Sequence, residues 1–311
     1  MRIGVVGSGR MAVIHLAAWE AVGQPVAAIH SRSLGRAQSL GDAWGARPVE
    51  FDDLLAGSDV VVICGTTPTH ADDARRAIAA GCHVLLEKPM ARTVDDVREL
   101  ASLDTDGRVF AVGHQLRFVP HIAEAIAAAR EHAVRELRFR RLTAGPYWSR
   151  GGWFADRAAS GGVILDMMVH DIDLALAIAG PVDEVSARTL GPPDRERAFA
   201  RLRHASGAVT DLHASWAEEP GTAFLRADVV SAAGEISFRQ APPVALLVED
   251  GRLVGDDSGL APYVAQARDI VAAVESGRPP TVRARDAAQA GLVALAALES
   301  AVSGRAVELG G

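Results

Sequence analysis

The sequence predicts two domains of different class. Residues 1–118 read as an α/β domain with a doubly wound parallel sheet, and residues 119–311 as an α+β domain with a large open, mostly antiparallel sheet. Three observations predict this. Short apolar runs alternate with helix-length runs up to about residue 118, the pattern of parallel strands joined by helices. Beyond it, long runs alternate apolar and polar residues with tight turns between them, the pattern of an antiparallel sheet with one polar face. A chain of 311 residues is also long for a single hydrophobic core.

The elements follow in order. Arg2–Val6 is a short apolar strand, and Met11–Ala21 has the apolar spacing of a helix. Val26–His30 reads as strand and Leu34–Trp44 as helix. Val60–Cys64 is an apolar, β-branched strand. Asp72–Ala80 is a helix closed by Gly81, a residue suited to the left-handed stop after a last turn. His83–Leu86 is strand, Val94–Leu103 helix and Val109–Val112 strand. The helix Pro120–Arg130 leads into the alternating runs, of which Glu136–Thr143 is the first. In Arg197–His204, Ala198, Ala200 and Leu202 share one face and Arg197, Arg201 and Arg203 the other. Ser206-Gly207 turns this run into Val209–Trp216, and Thr222–Ser231, Glu235–Gln240 and Val244–Val248 continue what reads as a meander. An amphipathic helix, Gly162–Ala179, interrupts the strands, and the Ala-rich tail from Ala261 to Val302 is helical.

A net charge of −7 argues against a nucleic-acid partner and fits a small-molecule ligand. Cys64 and Cys82 lie in apolar contexts without metal-type spacing, so buried free thiols in a reducing cytosol are expected. No basic-then-apolar leader opens the sequence and no apolar run reaches membrane-spanning length, which predicts a cytoplasmic protein with no membrane partner.

Lys88 is the one lysine in the chain, against 32 lysines and arginines together. Arginine holds its charge at every relevant pH, whereas a lysine titrates and presents a compact donor. Its place in Glu87-Lys88-Pro89 favours a chemical role over a solvated surface charge.

Gly7-Ser8-Gly9-Arg10-Met11-Ala12 follows the first strand and opens the first helix. The first glycine permits the tight turn, the second lets a pyrophosphate approach the backbone, and Ala12 lets helix and strand pack closely. The helix N-terminus adds N–H donors and the positive end of its dipole. Together these predict a Rossmann-type dinucleotide site. At the end of the second strand, His30-Ser31-Arg32-Ser33 lacks the acid that would accept from a ribose 2′-hydroxyl. Ser31 and Arg32 suit a 2′-phosphate, which favours NADP over NAD; the alternative is that Arg32 is an exposed loop charge. Gly65-Thr66-Thr67-Pro68-Thr69-His70 lies at the carboxyl edge of the sheet, where Thr66, Thr67 and His70 are candidates for cofactor contact. The alternative for His70 is a cap on the following helix.

Asp166 and His170, four apart, share one helix face. A carboxylate beside an imidazole orients it and raises its pKa, making a general acid/base; the alternative is a structural pair. Asp171 and Asp173 point elsewhere, and no third ligand suggests a metal. Tyr147, Trp148, Trp153 and Phe154 crowd a loop carrying Arg150 and Arg157, a texture of carbohydrate-facing pockets and equally of core packing.

Taken together these residues resemble the glucose–fructose oxidoreductase / inositol dehydrogenase group, the Gfo/Idh/MocA family. The resemblance rests on Gly7-x-Gly9-x-x-Ala12, on Ala80 through Pro89 with Glu87-Lys88-Pro89 at its end, and on Gly161-Gly162-Val163-Ile164-Leu165-Asp166-x-x-x-His170-Asp171-x-Asp173. Val112-Gly113-His114-Gln115-Leu116-Arg117-Phe118 is similar to the family segment entering the second domain. The resemblance implies an NAD(P)-dependent oxidoreductase acting on a secondary alcohol or ketone of a polyol, sugar or sugar derivative. It implies that Lys88 hydrogen-bonds the reacting oxygen, that His170 accepts and returns the proton, that Asp166 binds substrate and assists His170, and that Glu87 supports the cofactor site. The expected cofactor set is Gly7, Ser8, Gly9, Arg10, Met11, Ser31, Arg32, Thr66, Thr67, His70, Glu87, Lys88 and Gln115. A homodimer or homotetramer through the second-domain sheet is also implied. The sequence departs from the family twice: Gly65-Thr66 stands where Thr-Pro is usual, and Val163 where a further glycine is usual. Two other activities fit the motifs. One is a glycoside hydrolase using bound NAD for transient oxidation. The other is a non-catalytic cofactor-binding regulator, against which the joint presence of Lys88, Asp166 and His170 argues.

Overall fold

The computed structural model describes residues 1–145, 156–219, 222–232, 234–240, 247–249, 251–254 and 259–310. The chain begins with β1 (Ile3–Val6), α1 (Arg10–Ala21), β2 (Val26–His30), α2 (Leu34–Trp44), β3 (Arg47–Pro48), α3 (Phe51–Gly57) and β4 (Val60–Ile63). There follow α4 (His70–Ala79), β5 (His83–Leu86), α5 (Val94–Ser102), β6 (Phe110–Val112), α6 (Pro120–Glu131), β7 (Val134–Thr143), α7 (Arg157–Ser160), α8 (Val169–Ala179) and β8 (Val182–Leu190). The remainder is β9 (Arg197–His204), β10 (Val209–Ser215), β11 (Ala223–Ser231), β12 (Gly234–Gln240), β13 (Leu247–Glu249), β14 (Arg252–Val254), α9 (Ala261–Ser276), α10 (Ala284–Ser303) and β15 (Val307–Glu308).

Two compact units result. One comprises Met1–Ala91, Asp95–Phe118 and Val244–Ala288, the other Arg92–Val94, Val119–Pro243 and Gln289–Gly311. They differ from the expected 1–118 and 119–311 chiefly in the return of Val244–Ala288 to the first unit. The reason is apolar packing: Ala267, Ile270 and Ala273 of α9 join the core formed by Val13, Leu16 and Trp19 of α1. The hairpin β13–β14 belongs to the same return, where Trp44 donates from Nε1 to the Gly251 carbonyl at 2.6 Å.

The first unit holds a six-stranded parallel sheet in the order β3-β2-β1-β4-β5-β6. Strands β1 and β4 are buried along their whole length, which is why Ile3-Gly4-Val5-Val6 and Val60-Val61-Val62-Ile63 lack polar alternation. The chain winds outward from β1 in both directions, so the β1/β4 boundary is the switch point of the sheet.

The second unit holds a seven-stranded sheet in the order β12-β11-β7-β10-β9-β8-β15. Leu137, Phe139, Ala198, Ala200, Leu202, Leu212 and Ala214 line its buried face. The expected meander is found in β8-β9-β10, but β7 stands between β10 and β11 and pairs with β10 in parallel. A parallel neighbour needs a long crossover rather than a hairpin, and the segment from β7 through α7 and α8 supplies one.

Three expected elements differ in form. The helix expected over Gly162–Ala179 opens with a π-helical turn at Ile164–Met168 before α8. The helical tail is divided, since Gly277 ends α9 in the left-handed region at φ 71° and Pro279-Pro280 follow. Of the strand expected at Val244–Val248, residues 244–246 lie outside the described residues and the strand found is β13.

Inside the second unit, Arg141 of β7 meets Asp171 of α8 with Nη2 to Oδ1 at 2.5 Å, and Asp171 is buried. Burial raises the Asp171 carboxyl above its ordinary range, against the pull of Arg141. Removing the arginine alone leaves a buried acid without its partner. Arg141→Leu should therefore lose about 3 kcal/mol of stability, read from the urea midpoint. The double change Arg141→Leu with Asp171→Leu should recover most of that loss.

Candidate functional site: a cofactor edge and a helical Asp/His pair

β1 delivers the chain into Gly7, whose φ of +129° lies in glycine territory. A Cβ there would stand 2.8 Å from the Cys64 carbonyl oxygen. The Gly7 N–H donates to the His30 carbonyl at 2.8 Å, tying the turn to β2. Gly9 precedes α1 with no side-chain cap, and a Cβ on it would enter open space. The first turn of α1, starting with Arg10 and Met11, carries no acid. A helix start without a side-chain cap, beside the open space at Gly9, makes a cradle that fits a pyrophosphate.

The neighbouring candidates gather at the same edge. Ser8 Oγ lies 2.7 Å from Ser31 Oγ, and the Ser33 N–H donates to Ser31 Oγ at 3.3 Å. Arg32 is exposed and donates from Nη2 to Thr66 Oγ1 at 3.2 Å, so the β2 and β4 loops are joined by a guanidinium. Thr67 is buried. His70 places Nδ1 2.9 Å from the Pro89 carbonyl and Nε2 3.3 Å from the Gly65 carbonyl. Its ring thus lies between the β4 loop and the Lys88-Pro89 turn and braces one against the other. The nearby thiol of Cys64 is buried and pushed far above its ordinary range by burial, then by Glu87, so it is inert.

Glu87 and Lys88 follow β5, with a cis peptide between Lys88 and Pro89. Glu87 is buried and its Oε1 lies 2.8 Å from His15 Nε2 on α1. Its Oε2 accepts from the Lys88 N–H at 3.1 Å. Burial pushes the carboxyl up, yet the His15 hydrogen bond, then the charges of His15 and Lys88, hold it below the usual range overall. An ionised carboxylate only accepts, so His15 Nε2 carries the hydrogen. Tyr263 of α9 sets its ring edge-on to His15, with centroids 6.1 Å apart, and pairs with the Gln115 side chain. Burial, then the Glu87 charge, raises the Tyr263 phenol, which therefore stays protonated.

In the second unit, Asp166 stands in the π-helical turn and His170 in α8, and both are buried. Turns of this kind recur at functional sites. Their helix starts under tight control. Gly161 and Gly162 have φ of 76° and 66°, and a Cβ on Gly162 would lie 2.3 Å from Glu196 Oε2. That buried carboxylate accepts from the Val163 N–H at 2.8 Å and meets Arg157 Nη2 at 3.2 Å. Asp171 faces Arg141.

The structure thus brings Gly7, Ser8, Gly9, Arg10, Met11, Ser31, Arg32 and Thr66 to one edge, and Glu87, Lys88 and Gln115 to one cluster, all in the first unit. Asp166 and His170 belong to the second. Sequence reasoning missed His15, Tyr263 and Glu196. His15 left a signal, being the lone ionisable residue within Ala12–Trp19, an otherwise apolar run. Tyr147, Trp148, Arg150, Trp153 and Phe154 lie outside the described residues. Trp216 is wholly buried, and His213 is stacked on Phe199 at 4.3 Å across β9 and β10. Among the described residues, no cluster of His, Cys, Asp or Glu is placed to hold a metal ion.

Comparison with known proteins places these features in a family. Residues 1–114 match the profile described as the oxidoreductase family, NAD-binding Rossmann fold (GFO_IDH_MocA), and residues 120–237 that of the GFO/IDH/MocA C-terminal domain. A UDP-N-acetylglucosamine 3-dehydrogenase from Acidithiobacillus ferrooxidans is 31% identical over 220 residues, covering 69% of this chain and 67% of the relative. A myo-inositol 2-dehydrogenase from Thermotoga maritima is 26% identical, covering 99% of this chain and 98% of the relative. The crystal structure of GenD2 from gentamicin A biosynthesis, in complex with NAD, superposes with a TM-score of 0.87 at 27% identity, covering 100% of this chain and 97% of that one.

The brace at His70 has a pH signature. Burial holds the imidazole below its ordinary value of 6.5, against the raising pull of the two carbonyls. The unfolded chain therefore binds the proton more readily, and this group's contribution is complete above 6.5 and declines as the pH falls. Urea midpoints measured between about pH 5 and about pH 7.5 should rise with pH, and the rise should be smaller in His70→Asn.

Proposed function

The chain belongs to the GFO/IDH/MocA family of oxidoreductases, and from that membership we propose that it interconverts a secondary alcohol and a ketone on a polyol, sugar or sugar derivative. The nicotinamide dinucleotide, when bound, supplies the hydride chemistry. The observation that carries the proposal is the setting of Lys88, the sole lysine of the chain, anchored by a buried carboxylate in the unit that also holds the Gly7–Met11 cradle.

Each side chain then has a task. Lys88 donates a hydrogen bond to the reacting oxygen and stabilises the negative charge that develops there. His170 takes the hydroxyl proton in the oxidative direction and returns it in the other. Asp166 binds substrate and assists His170. Ser8, Gly9, Arg10 and Met11 would hold the pyrophosphate through backbone N–H groups, with Gly7 shaping the turn that presents them, and Thr66 and Gln115 would flank the remainder. Glu87 acts from below, through the backbone of Lys88. Ser31 and Arg32, with no acid at the end of β2, support a preference for a 2′-phosphate and hence for NADP. The relatives name a sugar nucleotide and an inositol as substrates, which supports a polyhydroxylated ligand. The long strands of the seven-stranded second sheet support assembly into a homodimer or homotetramer through that sheet. Two free thiols, Cys64 and Cys82, support a cytoplasmic location. Among the described residues, no helix is long and apolar enough to cross a membrane.

A panel of polyols, aldoses and keto-sugars with both nicotinamides, followed by absorbance of the reduced cofactor, identifies the substrate. On the best substrate, Lys88→Arg should lose turnover by on the order of 100-fold while the cofactor dissociation constant stays within about threefold of wild type. A near wild-type rate overturns the role of Lys88. Fluorescence titration should show tighter binding of NADPH than of NADH, and Arg32→Ala should abolish the difference; equal affinities in the wild type overturn the cofactor preference.

A further inference from the structure

The ammonium of Lys88 rides on a flexible four-carbon stem, so its placement depends on how firmly its backbone is held. That backbone N–H donates to the carboxylate of its own neighbour, Glu87, through Oε2 at 3.1 Å. Glu87 is itself fixed from three sides. Its N–H donates to the Ile63 carbonyl of β4 at 2.8 Å. Its Oε1 takes a 2.8 Å hydrogen bond from His15, with both side chains nearly closed to solvent at 2% and 6% exposure. Gly113, just past β6, leaves the space, since a Cβ there would lie 2.9 Å from Oε1. His15 is held in turn by its place on α1 and by the edge-on ring of Tyr263.

A pair that served stability alone would be poorly chosen. Replacing a buried carboxylate and its partner by apolar residues of similar volume is often neutral or stabilising. This pair does something an apolar pair cannot: it presents a carboxylate oxygen to the Lys88 N–H, and it connects that residue to α1, the helix that opens at the glycine cradle.

We propose that His15 is a positioning residue, which through Glu87 fixes the peptide of Lys88 and so aims the ammonium at the reacting oxygen. This rests on the reading of Lys88 as the donor to that oxygen. Because the chain has one lysine, protein grown on lysine labelled with carbon-13 at Cε gives a single side-chain resonance, that of Lys88.

The experiment compares wild type, His15→Leu, His15→Gln, Lys88→Met and the double variant His15→Leu with Lys88→Met, each saturated with cofactor. His15→Leu should lower kcat by on the order of 10- to 100-fold, with KM for the substrate changed by less than about threefold. It should also shift and broaden the Lys88 resonance. His15→Gln, whose amide keeps a donor within reach of Glu87, should restore both. In the Lys88→Met background, His15→Leu should cost nothing further, because the group it acts through is gone. If His15→Leu does not fold, His15→Asn, with its shorter amide drawn back from Glu87, is read in the same way. A wild-type kcat and an unmoved resonance in the broken-pair variant overturn the proposal. So does a further tenfold fall when His15→Leu is added to Lys88→Met. Full turnover in Lys88→Met overturns the role of Lys88 instead, and the resonance then still reports whether His15 holds it.

Discussion

A carboxylate taken out of water and kept ionised is the constraint on which the first unit is arranged. Glu87 is buried, and an isolated charge in such a place is intolerable. It persists because donors from α1 and from the following residue meet it, and because a glycine stands where any side chain would collide. Three separate stretches of chain, around residues 15, 87 and 113, are committed to that one group. The commitment has a location. It lies at the carboxyl end of β5, on the sheet edge where α/β proteins bind ligands, and one residue before the only lysine.

The second unit repeats the device with different residues. Glu196, at the start of β9, is buried and accepts from the Val163 N–H at the head of the helical stretch that carries Asp166 and His170. Again a glycine, Gly162, makes the room, and here a cation, Arg157, completes the carboxylate. Negative charge at a helix start is favourable in its own right, since the first N–H groups lack partners. In both units the candidate residues are thus held from behind by a buried acid that is bonded to the backbone. Such a group restrains φ and ψ rather than a rotamer, which suits side chains that must present an atom repeatedly to the same place.

Much of this was legible in the sequence, for reasons that also explain what was not. The strands at Val26–His30, His83–Leu86 and Arg197–His204 and the helix Leu34–Trp44 have the observed bounds because their periodicity is local and unbroken. Strand β3 is two residues long and α3 only seven, too short for a period to register. Strand β8 reads Val-Asp-Glu-Val-Ser-Ala-Arg-Thr-Leu, without the regular apolar face that marks its neighbours. The parallel pairing of β7 with β10 depends on where a crossover lands, which no residue pattern encodes. The same holds for the site. Gly7, Gly9 and Lys88 are conspicuous by type and position. His15 and Glu196 act across 72 and 33 residues of sequence, and contacts that distant are visible only in the folded chain.

The scarcity of lysine now has a physical context. Elsewhere the chain meets its needs for positive charge with arginine, whose planar fork suits the bidentate pairs Arg141–Asp171 and Arg201–Asp211. At position 88 the proposed role asks for something else. A guanidinium spreads its charge over three nitrogens and is always protonated, so it spans a carboxylate well but concentrates less charge on one oxygen. An ammonium is a point charge with rotatable donors, and what it lacks is direction. On the proposed reading, the buried pair behind Lys88 provides direction from the backbone, leaving the side chain compact. That division, with rigidity in Glu87 and its neighbours and charge in Lys88, accounts for a lone lysine in an arginine-rich chain better than a role in surface solvation, which any of its arginines could fill.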